Sequence, residues 1–190
     1  MRKLFLMLLI MIFGMSGVMG CAGLRPTDEA GKPKITLERV ELSRLAPWAE
    51  LPVPTMIGLG LVLNVDNPSS YAIKLENCKF AVLFEAAPNE FMVLSTATTY
   101  DYIYFAPKTV SQYRVVEFLD SRGVQLALLL PNQVKMQALK LNTNELVKKW
   151  FTTIGDFPFV IKVAEGMAVF SSEGAKGDFF VPFEEIFPKK

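Results

Sequence analysis

A run of strict alternation constrains this chain more than any other feature. Ile57, Leu59, Leu61, Leu63 and Val65 fall on one side of a period of two, with Gly58, Gly60, Val62 and Asn64 on the other. That period is the signature of a β-strand with one buried face. The run stops at Asp66-Asn67-Pro68-Ser69-Ser70, a dense turn signal. A second run opens with Tyr71, Ile73 and Leu75, and its apolar phase then flips to Cys78, Phe80, Val82 and Phe84. Slipping one residue exchanges the two faces of a sheet, so the flip predicts a bulge near Glu76-Asn77. Further strand signals cover 91–105, 110–119, 157–170 and 178–187. Residues 35–45 read as a first strand with a phase change of their own between Leu37 and Val40.

One helix is well marked. Leu146, Val147, Trp150, Phe151 and Ile154 share a face at 3.6-residue spacing, Asn142 with Glu145 fits a capping box, and Gly155 is placed to end the element. Residues 120–139 are ambiguous: Val124 to Leu130 fits a short helix or a strand, ended by Pro131. About seven strands and a late helix predict an all-β chain with one helix, an antiparallel β-sandwich forming a single domain over 35–188.

Composition removes whole classes of chemistry. The chain has 190 residues, 51% of them hydrophobic and 21% charged, which excludes global disorder. Its 20 basic and 19 acidic residues supply no field for nucleic acid. It has no histidine, which removes imidazole-based nucleophile activation and histidine-ligated metals. Two cysteines, Cys21 and Cys78, are too few for a cysteine-rich metal site or a disulfide framework. No cofactor or metal is expected.

The first twenty residues have the form of an export signal. Arg2 and Lys3 precede ten apolar residues, Leu4 to Phe13, followed by Gly14, Ser16, Gly17 and Gly20. The apolar run is short for a bilayer span, which takes about 20 residues. The closing Val18-Met19-Gly20-Cys21 resembles the lipobox of bacterial lipoproteins. That resemblance implies cleavage before Cys21 and lipidation of its thiol, so that the chain meets the membrane through a lipid. An ordinary signal peptide with an incidental cysteine, or an uncleaved anchor, are the alternatives. Ala22, which is not aspartate, resembles the class sent to the periplasmic face of the outer membrane in cells that have one. Residues 21–34, with Gly23, Pro26, Gly31 and Pro33, read as a flexible tether spanning roughly 20 Å. Without residues 1–20 the charges become 18 basic and 19 acidic, a net of about −1.

The segment 57–80 resembles the water-stress and hypersensitive-response (WHy) domain of the late embryogenesis abundant type 2 family. The likeness rests on the alternating strand, Asn67-Pro68, the restart at Tyr71-Ala72-Ile73 and the aromatic Phe80. It is specific over 55–84 and loose over 35–187. It implies an immunoglobulin or fibronectin type III-like sandwich and a role in protecting proteins or membranes during desiccation or envelope stress. Asn67 and Pro68 themselves read as turn structure.

Catalysis finds little support. Glu184-Glu185 are adjacent strand residues and face opposite sides. Cys78 lies in the apolar phase of Phe80 and Val82 and reads as a buried, inert thiol. Gly58-Leu59-Gly60 lies within a strand, where glycine marks close packing more than a phosphate loop. Tyr100, Tyr102 and Tyr104 share one strand face: an ordinary aromatic surface, or a contact patch for a client protein or lipid. The expected function is therefore a monomeric, non-enzymatic, membrane-anchored stress protein. The alternative is a lipid carrier or envelope assembly factor, which a cavity between the sheets would favour.

Overall fold

The structure is a computed structural model that describes residues 23–49 and 53–188. The export signal and Cys21 lie outside the described residues. Among the described residues eight strands form two antiparallel sheets. They are β1 (Lys34–Leu45), β2 (Met56–Asn67), β3 (Ile73–Ala87), β4 (Glu90–Thr99), β5 (Ile103–Phe105), β6 (Thr109–Asp120), β7 (Ile161–Ser171) and β8 (Phe179–Phe187). The first sheet has the order β1-β2-β6, and the second β4-β3-β7-β8 with β5 beside β3. Three strands face five, the β-sandwich that the alternation predicts. The single strand expected over 91–105 is two, β4 and β5, separated by residues 100–102.

The inward faces are those that the period of two selects. Leu59, Leu61 and Leu63 from β2 and Phe80, Val82 and Phe84 from β3 are fully buried in one cluster, joined by Val163 and Phe170 from β7. Each such side chain contributes about 1.5–3 kcal/mol on leaving water. Both phase changes are bulges. The β3–β7 register shifts between Leu75 and Asn77, and the β1–β2 register shifts between Leu37 and Arg39. The glycines of β2 serve the outer face. A Cβ at Gly60 would stand 2.6 Å from Arg114 Nη2, and one at Gly58 would stand 3.0 Å from the Phe118 ring. Their absence lets Arg114 lie flat across the sheet, where Nε reaches Glu41 (3.1 Å) and Nη2 reaches Ser43 Oγ (2.6 Å).

The single expected helix is one of three α-helices among the described residues: α1 (Ser121–Leu129), α2 (Gln133–Ala138) and α3 (Thr143–Thr153). The ambiguous stretch is thus helical. Asp120 caps α1 by accepting from the N–H groups of Arg122 (3.1 Å) and Gly123 (2.8 Å), and Val124 and Leu128 turn inward. Helix α3 is capped as expected, with Asn142 Oδ1 accepting from Asn144 N (2.9 Å) and Glu145 N (3.1 Å). Its end differs from expectation. The helix tightens into a 3-10 turn over Ile154–Asp156, and the left-handed residue is Phe157 (φ 46°), not Gly155.

The helices close one end of the sandwich with apolar packing. Trp150 is fully buried, meets Phe84 edge to face at 5.5 Å, and donates from Nε1 to the Glu85 carbonyl (3.0 Å). The opposite end is made of turns: 67–72 between β2 and β3, 106–108 before β6, and 172–178 between β7 and β8. The N-terminal stretch packs there too, which corrects the expectation of a free tether up to residue 34. Leu24 N–H donates to Ser70 Oγ (3.1 Å), and Ser70 N–H donates to the Leu24 carbonyl (2.8 Å). Pro26, Gly31 and Pro33 are buried. The chain is thus held on the domain from Gly23 onward.

Candidate functional site

The turn end is organised by one buried amide. Asn67 is 0% exposed, because the last residue of β2 sits beneath the loops that follow it. Its Nδ2 donates toward the carbonyls of Tyr71 (2.9 Å), Ala106 (3.0 Å) and Phe105 (3.3 Å). Its Oδ1 accepts from Ser69 N (3.2 Å) and the Ser69 hydroxyl (2.7 Å). Ser69 is itself fully buried, and its carbonyl accepts from Lys108 N (3.1 Å). Three stretches of chain are tied together without a salt bridge, and every carbonyl so paired escapes the penalty of unsatisfied burial. Asn67 holds the turn here through its side chain. Ser69, whose part the sequence reading missed, is a member of the same network.

Tyr71 leads from this network to the surface. Its ring lies against the N-terminal stretch and the 172–178 loop. A Cβ at Gly174 would stand 2.6 Å from the ring, so only glycine permits this approach. Tyr71 and Tyr104 line a groove of about 510 Å³ with Ala72, Lys74, Ser171, Ser172 and Glu173. Within it Lys74 Nζ pairs with Glu76 (3.0 Å) and stands 4.4 Å from the centre of the Tyr102 ring. Ser171 Oγ donates to the same Glu76 carboxylate (2.5 Å). That hydroxyl and the ammonium of Lys74 hold the Glu76 carboxyl below its ordinary range, and the Glu76 hydrogen bond raises Lys74. The Lys74 and Glu76 charges therefore satisfy each other.

The three tyrosines singled out from sequence come out on the surface: Tyr100 is 70% exposed, Tyr102 68% and Tyr104 70%. Tyr104 stands on β5 opposite Lys74, and Tyr100 and Tyr102 lie in the link before it. Tyr102 and Tyr104 thus flank one lysine. Tyr71, read from sequence as part of the turn, joins them at the groove. No local pattern marks Lys74, Glu76 and Ser171, because they come together from β3 and β7.

The other candidates are inert or solvated. Cys78 is buried, and burial pushes its thiol up to about 12, far from the thiolate a nucleophile needs. Tyr113, deep between the sheets, is likewise pushed up to about 12 by burial, and its hydroxyl shares a hydrogen bond with Thr99. Glu184 is exposed and pairs with Lys162 (2.5 Å). Glu117 points between β6 and β4. Burial raises its carboxyl, and the Ser95 hydroxyl beside it acts the other way without a hydrogen bond of normal geometry. Among the described residues no cluster of carboxylates and thiols could hold a metal ion, and no helix is long and apolar enough to cross a membrane. A feature the sequence reading passed over is an exposed aliphatic strip on α1 and α2, comprising Leu126, Leu129, Leu130 and Val134.

No protein-family model matches the chain, and no curated protein matches it. Solved structures do overlap it. A protein from Archaeoglobus fulgidus is 12% identical, covering 82% of this chain and 98% of its own, with a TM-score of 0.40. A target of the Northeast Structural Genomics Consortium is 14% identical, covering 85% of this chain and 91% of its own, with a TM-score of 0.42. These overlaps are too loose to carry a function across.

Proposed function

We propose that this protein is a lipid-anchored, non-enzymatic component of the cell envelope. It stabilises membranes or proteins under dehydration or envelope stress by contact, and it works as a monomer. The anchor is a lipid on Cys21, at the periplasmic face of the outer membrane where the cell has one. The reading joins the Val18-Met19-Gly20-Cys21 sequence to the resemblance of residues 55–84 to the WHy domain.

The observation that carries it is the contrast between an interior of inward side chains in one buried cluster and an aromatic exterior. Inward side chains of both sheets form one buried cluster, whereas Tyr100, Tyr102 and Tyr104 stand free in solvent. A continuous buried cluster between the sheets favours action at the surface over carriage of a lipid there. Lys74, Glu76 and Ser171 of the groove are paired with each other, and burial holds the Cys78 thiol protonated. This is the chemistry of a contact surface more than of a reacting site.

The test takes two steps. Globomycin should cause the unprocessed precursor to accumulate, and Cys21→Ser should release the protein from the membrane fraction. The purified lipoprotein should then reduce leakage of dried vesicles, or aggregation of a heated client, in proportion to its amount and with little sensitivity to salt. Co-purification of a bound lipid without protection would favour the carrier. Turnover abolished by a single polar substitution would replace both readings with an enzyme.

A further inference from the structure

We infer that the tyrosine-rimmed groove at the turn end is the face that rests on the membrane, with Tyr71, Tyr102 and Tyr104 at the level of the lipid headgroups. The inference rests on the proposed lipidation of Cys21 and says which way up the anchored domain stands. The first argument is reach. The N-terminal stretch is held on the domain by the paired bonds between Leu24 and Ser70. Between Gly23 and Cys21 lie two residue steps, at most about 7 Å. An anchor that short keeps the turn end against the bilayer. Gly23 stands beside Ser70 and Tyr71: a Cβ on it would lie 2.8 Å from Ser70 Cβ and 3.6 Å from the Tyr71 ring. Tyr71 is in turn the wall of the groove that Tyr104 closes on its other side.

The second argument is chemical. Tyrosine is enriched at membrane interfaces because its ring is apolar and its hydroxyl is wet. Two highly exposed tyrosines flank the groove, and its lysine is already paired with Glu76 and covered by Tyr102, so this ammonium has little water to lose on approach. Charge at this end is balanced: Arg25, Lys32, Lys108 and Lys176 stand with Asp28, Glu29, Glu173 and Asp178. Contact should therefore depend on the aromatic rings and little on headgroup charge. The competing apolar surface, the strip of Leu126, Leu129, Leu130 and Val134, lies far away. Asn132, between the two helices, bonds Val93, which pairs with Leu83 on β3, whereas Tyr104 pairs with Lys74. Nine residues of strand separate the two levels, roughly 30 Å.

The experiment uses the lipidated full-length protein in vesicles of phosphatidylethanolamine and phosphatidylglycerol, with and without acyl-brominated lipid, which quenches nearby indoles. Tyr104→Trp and Leu130→Trp report the two surfaces, and Trp48 and Trp150 at the helical end supply a constant background. Flotation first establishes the anchor. The added emission of Tyr104→Trp should fall roughly twofold on brominated lipid, at low and high salt alike, while that of Leu130→Trp is unchanged. Floating protein with Tyr104→Trp unquenched, or with Leu130→Trp quenched in its place, overturns the inference and leaves lipidation standing. Shielding of Tyr104→Trp from acrylamide without bromine quenching assigns the groove to a protein or a second copy, and also overturns it. Protein that does not float removes the anchor and the orientation together.

Discussion

The two ends of the sandwich are closed by different physics. At the helical end, Trp150, Phe84 and Phe159 meet within ring distances of 5.1–6.3 Å, and α3 lays its whole apolar face on the core. At the turn end the closing group is Asn67, a buried amide that bonds backbone on three sides. An apolar seal consumes its aromatics. The turn end has rings beneath it too, Phe105, Phe170 and Phe179 at 5.9–6.2 Å, so the two ends differ in what ties their outermost chain: the apolar face of a helix at one, a buried amide bonding loop carbonyls at the other.

That contrast can be broken from either side. Trp150→Ala should have the largest effect, a loss of about 3–5 kcal/mol in denaturant unfolding, because it opens a cavity under α3 and strips the Glu85 carbonyl of its donor. A loss under about 1 kcal/mol would mean that the helix is not part of the closure. Asn67→Ala should remove about 2–3 kcal/mol by leaving buried carbonyls unpaired, and amide exchange should rise first at residues 69–72 and 106–108. If exchange rises evenly over the domain, the network is not local to this end. Tyr102→Ser with Tyr104→Ser should change stability by less than about 0.5 kcal/mol, since both rings stand in solvent.

The smallest effect is one of pH and sharpens the comparison at the open edge between β4 and β6. Burial raises the Glu117 carboxyl in the folded state, so its stabilising contribution is fully present below the unfolded value and is lost as pH rises through the folded one. Glu117→Gln should therefore be slightly more stable than wild type at neutral pH, and the difference should vanish below about pH 4. Equal unfolding free energies at both pH values would show that this carboxylate is fully solvated.

Much of the fold was legible because its determinants are local. Alternation over 57–65 and the phase flip after Leu75 each state a face and a bulge within a few residues, and both are found. The helices at 121–138 were not legible. Val124, Leu128 and Met136 are the apolar side chains buried there, and four exposed aliphatics blur the period that would have revealed them. Residues 23–33 carry the Pro and Gly of a linker, and what docks them is Ser70, 46 positions away. The site divides in the same way. Tyr100, Tyr102 and Tyr104 are exposed, but the one strand face expected of them is not found, since only Tyr104 is on a strand, and the groove exists only because β3, β5 and β7 bring Lys74, Tyr104 and Ser171 together.

The central claim is that the protein acts by contact through this aromatic end. The most direct measurement is leakage from dried vesicles carrying the lipidated protein, titrated against the protein-to-lipid ratio for wild type and for Tyr102→Ser with Tyr104→Ser. The account predicts protection that rises in proportion to wild-type protein and saturates, and a double variant that folds and floats like wild type yet protects little. Full protection by the double variant, or protection at trace ratios that no stoichiometric contact could supply, would contradict it.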